Sequence, residues 1–208
     1  MARVSQAHLD ARRRQILDGA ARCFARNGFH ATSMQDLLRE SGLSAGAVYR
    51  YFASKDEIVA AIAGECFRQV RAAFADAARA VPPPTPDILL PRVLTTVFEQ
   101  ASPDGDRRAF ARLIIQVWTE TLRNDVLAAA LQEGYAVMRD IWTDLVEDYR
   151  AAGLMPPDTD PDDVARTLIA TAQGFIAQQA LFGDVDPETV RAGLHALTRM
   201  GLRREAAP

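Results

Sequence analysis

Apolar positions in this chain recur every third or fourth residue, and no stretch alternates apolar and polar residues over a strand's length. Residues 10–27 place Ile16, Ala20, Cys23 and Phe24 on one stripe with arginines opposite, and Gly28 follows where a C-terminal glycine belongs. Thr32 or Ser33 can cap a short second helix with Leu37 and Leu38 inward, and Gly42 ends it. Ser44 can cap a third short helix running to about Arg50. Ser54, with Glu57 three residues on, opens a long fourth helix in a capping-box pattern, and its apolar ladder is Ile58, Ile62, Cys66, Val70 and Phe74. The proline cluster between Val81 and Asp87 stops it. Beyond it the pattern predicts helices over 86–102, 106–122, 125–152, 162–183 and 187–203. The expected fold is all-α, with about nine helices.

At 208 residues, 49% hydrophobic and 25% charged, the chain can bury a sizeable core, which excludes disorder. No apolar run reaches the roughly 18 residues that span a bilayer, and the first residues lack the apolar stretch of a signal peptide. A soluble, cytoplasmic protein with no membrane partner is expected. Cys23 and Cys66 sit among apolar residues and are read as buried free thiols. The net charge of −3 conceals an asymmetry: the first 55 residues hold nine arginines and lysines against four carboxylates, and the remainder is acidic. A basic N-terminal quarter on an acidic body suggests that only the first part meets a polyanion, although a solvated basic face has the same composition.

Residues 33–55 carry the most information. Two short helices joined by a tight turn at Gly42 make a helix-turn-helix pattern, with Leu37, Leu43, Val48 and Phe52 able to pack inward. The other side of the third helix shows Ser44, Ala45, Gly46, Ala47, Tyr49 and Arg50, whose small members permit close approach to base edges and phosphates. A plain helical corner with core aromatics is the alternative. Against it, Tyr49, Tyr51 and Phe52 cannot all face one core, because neighbouring helical positions lie about 100° apart.

Residues 12–58 resemble the N-terminal domain of TetR-type transcriptional regulators. The matching marks are Arg14-x-Ile16-Leu17, Ala20-Ala21-x-x-Phe24, Asn27-Gly28-Phe29 and Thr32-Ser33. They continue with Ser41-Gly42-Leu43-Ser44-x-Gly46-x-Val48-Tyr49-x-Tyr51-Phe52 and Ser54-Lys55-Asp56-Glu57. Leu38 departs from the pattern, standing where that family usually has alanine. The resemblance implies a helix-turn-helix domain over 1–55, with the start of the fourth helix, and a ligand-binding and dimerisation domain over 56–208. It implies that Tyr49, Lys55, Thr32 and Ser33 meet phosphate. Gln35, Ala45, Gly46 and Ala47 occupy positions that can face base edges, and Arg50 can read guanine or clamp phosphate. Arg12-Arg13-Arg14 has two readings, as side chains reaching phosphate or the minor groove, or as a solvated helix face.

One module reads few bases, so useful specificity needs two in register, and a homodimer on a palindromic operator of double-stranded DNA supplies them. The last two helices offer apolar stripes of Val164, Leu168, Ala172 and Ile176, then Val190, Leu194 and Leu197, as the dimer face. The alternative is that these stripes close the monomer core. The middle helices hold Phe98, Phe110, Trp118, Tyr135, Met138, Trp142 and Phe175, interrupted by polar residues that include Gln178. Such a set fits a pocket for a mainly hydrophobic small-molecule effector, or simply a core. The expected function is a ligand-responsive regulator, a repressor by the family's habit. No catalytic residue, metal ligand or cofactor is expected: none of the three histidines has metal-ligand spacing, and no nucleophile-elbow, P-loop or dinucleotide motif occurs. The aspartates of 158–163 lack the glycine and glutamate of a calcium loop and suit the N-terminus of the next helix.

Overall fold

The computed structural model describes residues 6–77, 80, 83–102 and 105–199. Among these, nine helices and no strand are present. They are α1 (Gln6–Asn27), α2 (Met34–Ser41), α3 (Ala45–Tyr49), α4 (Lys55–Ala77), α5 (Pro86–Ala101), α6 (Arg107–Glu120), α7 (Asp125–Ala151), α8 (Pro161–Leu181) and α9 (Pro187–Thr198). The expected breaks at Val81-Pro82 and Pro103-Asp104, and the expected end of the last helix beyond Arg199, lie outside the described residues.

Local chemistry sets the helix ends. Ser33 rather than Thr32 caps α2, accepting from the Asp36 amide, while the Asp36 carboxylate accepts from the Ser33 amide. Asn124, Asp160 and Asp186 cap α7, α8 and α9, so the 158–163 aspartates serve the helix start. At α4 the pattern differs slightly from expectation. Ser54 accepts from the Glu57 amide, but the Glu57 carboxylate reaches back one residue further, to the Ala53 amide at 2.7 Å.

Two apolar clusters organise the packing. The larger lies among α4 to α8 and includes Phe98, Phe110, Trp142, Tyr149 and Phe175. The smaller is the core of the first three helices, around Ile16, Phe24, Leu37, Val48 and Phe52, and it crosses the boundary expected after residue 55. Ile58 and Val59 of α4, Leu113 and Val117 of α6, and Leu127 and Leu131 of α7 all belong to it. The N-terminal unit is therefore seated on the body through apolar contact rather than hung from a linker.

Candidate nucleic-acid interface and effector cavity

The turn between α2 and α3 depends on Gly42, whose φ of 66° is a left-handed conformation that glycine adopts without steric cost. The Gly42 and Leu43 amides cap the end of α2 on the Arg39 and Leu38 carbonyls. Ser44 then starts α3 by accepting from the Ala47 amide at 3.3 Å. Leu37, Val48 and Phe52 are buried beneath and fix the angle between the two helices. The opposite side is open: Gln35, Ser44, Ala45, Gly46 and Arg50 are exposed, Tyr49 is 50% exposed, and Ala47 is half-buried. A Cβ added at Gly46 would meet nothing within 4 Å, so the protein's own packing does not require glycine there.

Polar contacts and one close backbone approach hold α2 on α1. Gln15 Nε2 donates to the Ser41 carbonyl at 2.7 Å, and Gly19 sits against the Ser41 backbone. Arg22 pairs with Glu40 at 2.9 Å, and Arg26 pairs with the same carboxylate. The two guanidiniums hold the Glu40 carboxyl down at about 2. The spacing of Arg22 and Arg26 by one helical turn is the signal that sequence reasoning could have used and did not.

Two expected phosphate contacts face inward instead. Thr32 is 1% exposed and its hydroxyl donates to the Gly28 carbonyl at 2.7 Å, closing the turn after α1. Lys55 Nζ donates to the carbonyls of Phe29 and Thr32 at 2.7 and 3.0 Å and lies 4.1 Å from the centroid of the Phe29 ring. Carbonyl lone pairs and an aromatic face satisfy the ammonium, so it braces α4 against that turn. Ser33 stays exposed, with its hydroxyl donating to Asp36. The three consecutive arginines also differ from one another. Arg12 donates to Gln15 on its own helix, the Arg13 guanidinium lies 5.3 Å from the Phe52 ring centroid, and Arg14 lines a cleft toward the body.

Within the body lies a cavity of about 110 Å³, walled by α4 to α8 and almost wholly apolar. Phe98, Phe110, Trp118, Tyr135, Met138 and Trp142, six of the residues the sequence offered for a pocket, line it. Two expected members do not. Phe175 is buried behind the wall with its ring edge-on to Phe98, and Gln178 is exposed. Burial pushes the Tyr135 phenol up, partly offset by hydrogen bonds from Gln173 and Trp118. Helix α4 supplies Ile62, Phe67, Val70 and Phe74 to the wall. Its every-fourth ladder gave no sign of which side chains would border free space.

The stripe expected at the dimer face is also largely inward. Ala172 and Ile176 line the cavity and Leu168 is buried in the main core. Val164, Val190 and Leu194 are half-buried against that core, and only Leu197 is exposed. Because α8 packs against both α6 and α7, its apolar stripe is consumed within one chain. The large apolar side chains left at the surface of the last two helices and their junction are Leu181, Phe182 and Leu197.

Residues 16–62 match the family described as bacterial regulatory proteins, tetR family, and residues 91–203, more than half the chain, match the BetI-type transcriptional repressor C-terminal family. The chain belongs to the TetR family. It is a DNA-binding transcriptional regulator of that family and not an enzyme. Among relatives of this TetR-family chain, the HTH-type transcriptional repressor AcnR of Corynebacterium diphtheriae is 29% identical over 185 residues, 88% of each chain. An HTH-type transcriptional repressor of Mycobacterium tuberculosis is 48% identical over 65 residues, covering 31% of this chain and 35% of that one. The solved structure of Salmonella enterica GusR superposes with a TM-score of 0.73 at 26% identity, covering 94% of this chain and 98% of that one. No described helix is long and apolar enough to cross a membrane.

Proposed function

We propose that the protein is a cytoplasmic homodimeric repressor that grips a palindromic operator and releases it when a mainly hydrophobic small molecule enters the body. The observation that carries the DNA reading is the outward face of α3 with its neighbour Gln35 on α2. Gln35, Tyr49 and Arg50 are exposed, and Gly46 on α3 is a glycine with nothing of its own chain within 4 Å of an added Cβ. Gln35 and Arg50 supply hydrogen-bonded base readout, Tyr49 and Ser33 hold phosphate, and Ala45, Gly46 and Ala47 allow the approach. Lys55 and Thr32 act indirectly, by setting the turn that carries α2.

The dimer reading rests on exposed Leu181, Phe182 and Leu197 together with Gly174 and Gly193, where an added Cβ would meet nothing within 4 Å. Small residues on exposed helices let a second copy's helices approach closely. The effector reading rests on the apolar cavity, whose wall includes α4, the helix that joins the DNA-facing unit to the body. An effector acts only if it binds the DNA-free arrangement more tightly than the DNA-bound one.

Selection of binding sites from a random duplex library tests the reading. An inverted repeat should be enriched, and it should bind one dimer with an affinity that falls steeply with salt. Retention of no duplex at low salt, or a monomer by gel filtration at micromolar concentration, would overturn it.

A further inference from the structure

We infer that the effector is a hydroxylated amphipath, with a short apolar part in the cavity and a hydroxyl-bearing head in a polar cleft beside it. This rests on the effector reading above and adds a second half to its site. The cleft, about 780 Å³, opens between α1, α4 and the end of α5. Ile62, Cys66, Phe110 and Leu113 belong to its wall and to the wall of the apolar cavity as well. One molecule can therefore pass between the two spaces by displacing side chains they share.

The polar wall selects the head. Arg68 pairs with Glu65, and Arg22 pairs with Glu40, so these charges are compensated within the protein. Arg13 and Arg14 also line the cleft against Asp10 and Asp18, two charges of each sign, so no net charge is left there to select an ion and the unpartnered polar groups are neutral. Gln69 and Ser102 line the cleft, and each has a buried side-chain oxygen, Oε1 and Oγ, without a hydrogen-bond partner. Leaving such atoms unpaired is costly, and a ligand that pairs them recovers that cost. A hydroxyl both donates and accepts, so it satisfies the serine and either orientation of the amide. A carboxylate only accepts and leaves an amide oxygen unpaired. Cys66 between the spaces is an apolar wall, because burial pushes its thiol up to about 12.

The tail is short. The apolar cavity, about 110 Å³, is smaller than the ~150 Å³ cavity that accepts benzene, which limits the apolar part to about four to six carbons. The head would touch Arg14 and Asp18 of α1, so a molecule that bridges both spaces reads the separation of the DNA-facing unit from the body.

Full-length protein is titrated with 1-hexanol, 1,2-hexanediol and hexanoate, following the emission of Trp118 and Trp142 and the thermal midpoint. The diol should bind at least fivefold more tightly than hexanol, with hexanoate weakest. In the Gln69→Leu/Ser102→Ala protein the diol should lose that advantage to within twofold, while hexanol binding is unchanged. A diol no tighter than hexanol in the unsubstituted protein, or hexanoate tightest, overturns the head assignment and leaves the apolar cavity as an effector site. If none of the three changes emission or midpoint, the cavity reading and this extension fall together. The comparison of probes on the unsubstituted protein needs no variant to fold.

Discussion

His30 Nε2 lies 3.1 Å from Glu120 Oε2, joining the turn after α1 to the last turn of α6. The carboxylate is largely covered and the imidazole is open to solvent. The same helix sends Leu113 and Val117 into the N-terminal apolar cluster. Gln116 of α6, with a buried and unpartnered Oε1, lies beside Gly28. Apolar packing carries the grip of α6 on the DNA-facing unit, and the His30–Glu120 contact sits at its rim. His30→Ala should therefore cost less than about 1 kcal/mol, as exposed pairs do. Val117→Ala, which empties a buried site, should cost more, roughly 1–3 kcal/mol. Urea denaturation of both variants checks the order, and the reverse order would place the coupling in the His30–Glu120 contact.

Lys55 is the chain's only lysine, and its ammonium is spent on two carbonyls and a ring. Lys55→Met keeps the length and removes the charge and both bonds. It should destabilise the protein by about 1.5–3 kcal/mol, the range for hydrogen bonds to a charged group. DNA affinity should fall because the turn before α2 loosens, yet the slope of log affinity against log salt should not change. A direct phosphate contact would instead reduce that slope by about one ion per site. Anisotropy titrations on the selected duplex over a salt series separate the two.

Glu40 gives the α1–α2 pairing a pH dependence. Its folded-state pKa of about 2 lies below the ordinary 4.5, because Arg26 and Arg22 stabilise the carboxylate. A depressed carboxyl contributes stability that is fully present above the unfolded value and is lost as pH falls through the folded one. Glu40→Gln should thus cost about 1 kcal/mol at neutral pH, a figure reduced by the exposure of Arg26, and progressively less from about pH 4.5 to 2. Asp18 has the opposite sign, since burial raises it, so the difference between variant and parent is the informative quantity. A cost independent of pH would mean that the pairing contributes through packing alone.

The helix-turn-helix was legible because its signals are local. Gly42, Ser44 and the inward set of Leu37, Val48 and Phe52 are each fixed by neighbours within a turn or two, and they sit where periodicity places them. The roles of Thr32 and Lys55 were not legible, because their partners depend on how the turn after α1 folds back over α4. What covers the apolar stripe of α8 was not legible for a related reason. Periodicity shows that Leu168, Ala172 and Ile176 share a face, but their own chain or a second copy can cover a face equally well. Only the seating of α8 against α6 and α7 distinguishes them.

Gly134 of α7 allows α4 to approach. A Cβ there would lie 2.3 Å from the Phe67 ring, which packs edge-on against Tyr135 and lines the cavity. Gly134→Ala must displace an aromatic ring, and overpacking of this kind costs about 1–3 kcal/mol despite the better helix propensity of alanine. Thermal denaturation reads the cost. The accompanying change in tryptophan emission reports whether the displaced ring has disturbed Trp118, and an unchanged midpoint and spectrum would show that the crossing relaxes freely.

Tyr49 separates a DNA-facing role from a structural one, because stability and binding should respond differently. Half of its surface is exposed, so Tyr49→Phe removes a hydroxyl that the fold does not need and should leave the thermal midpoint within about 1 °C, in line with a surface change below ~0.5 kcal/mol. Affinity for the selected operator should drop about ten- to a hundredfold, the loss of one hydrogen bond to a charged phosphate. The drop should be similar for mutated operators, since phosphate contacts position the protein without reading sequence. Arg50→Ala should instead flatten the preference at one base position if it reads guanine, and weaken all sequences alike if it clamps phosphate. A Tyr49→Phe protein that melts earlier but binds DNA unchanged would assign this side chain to the fold and not to the operator.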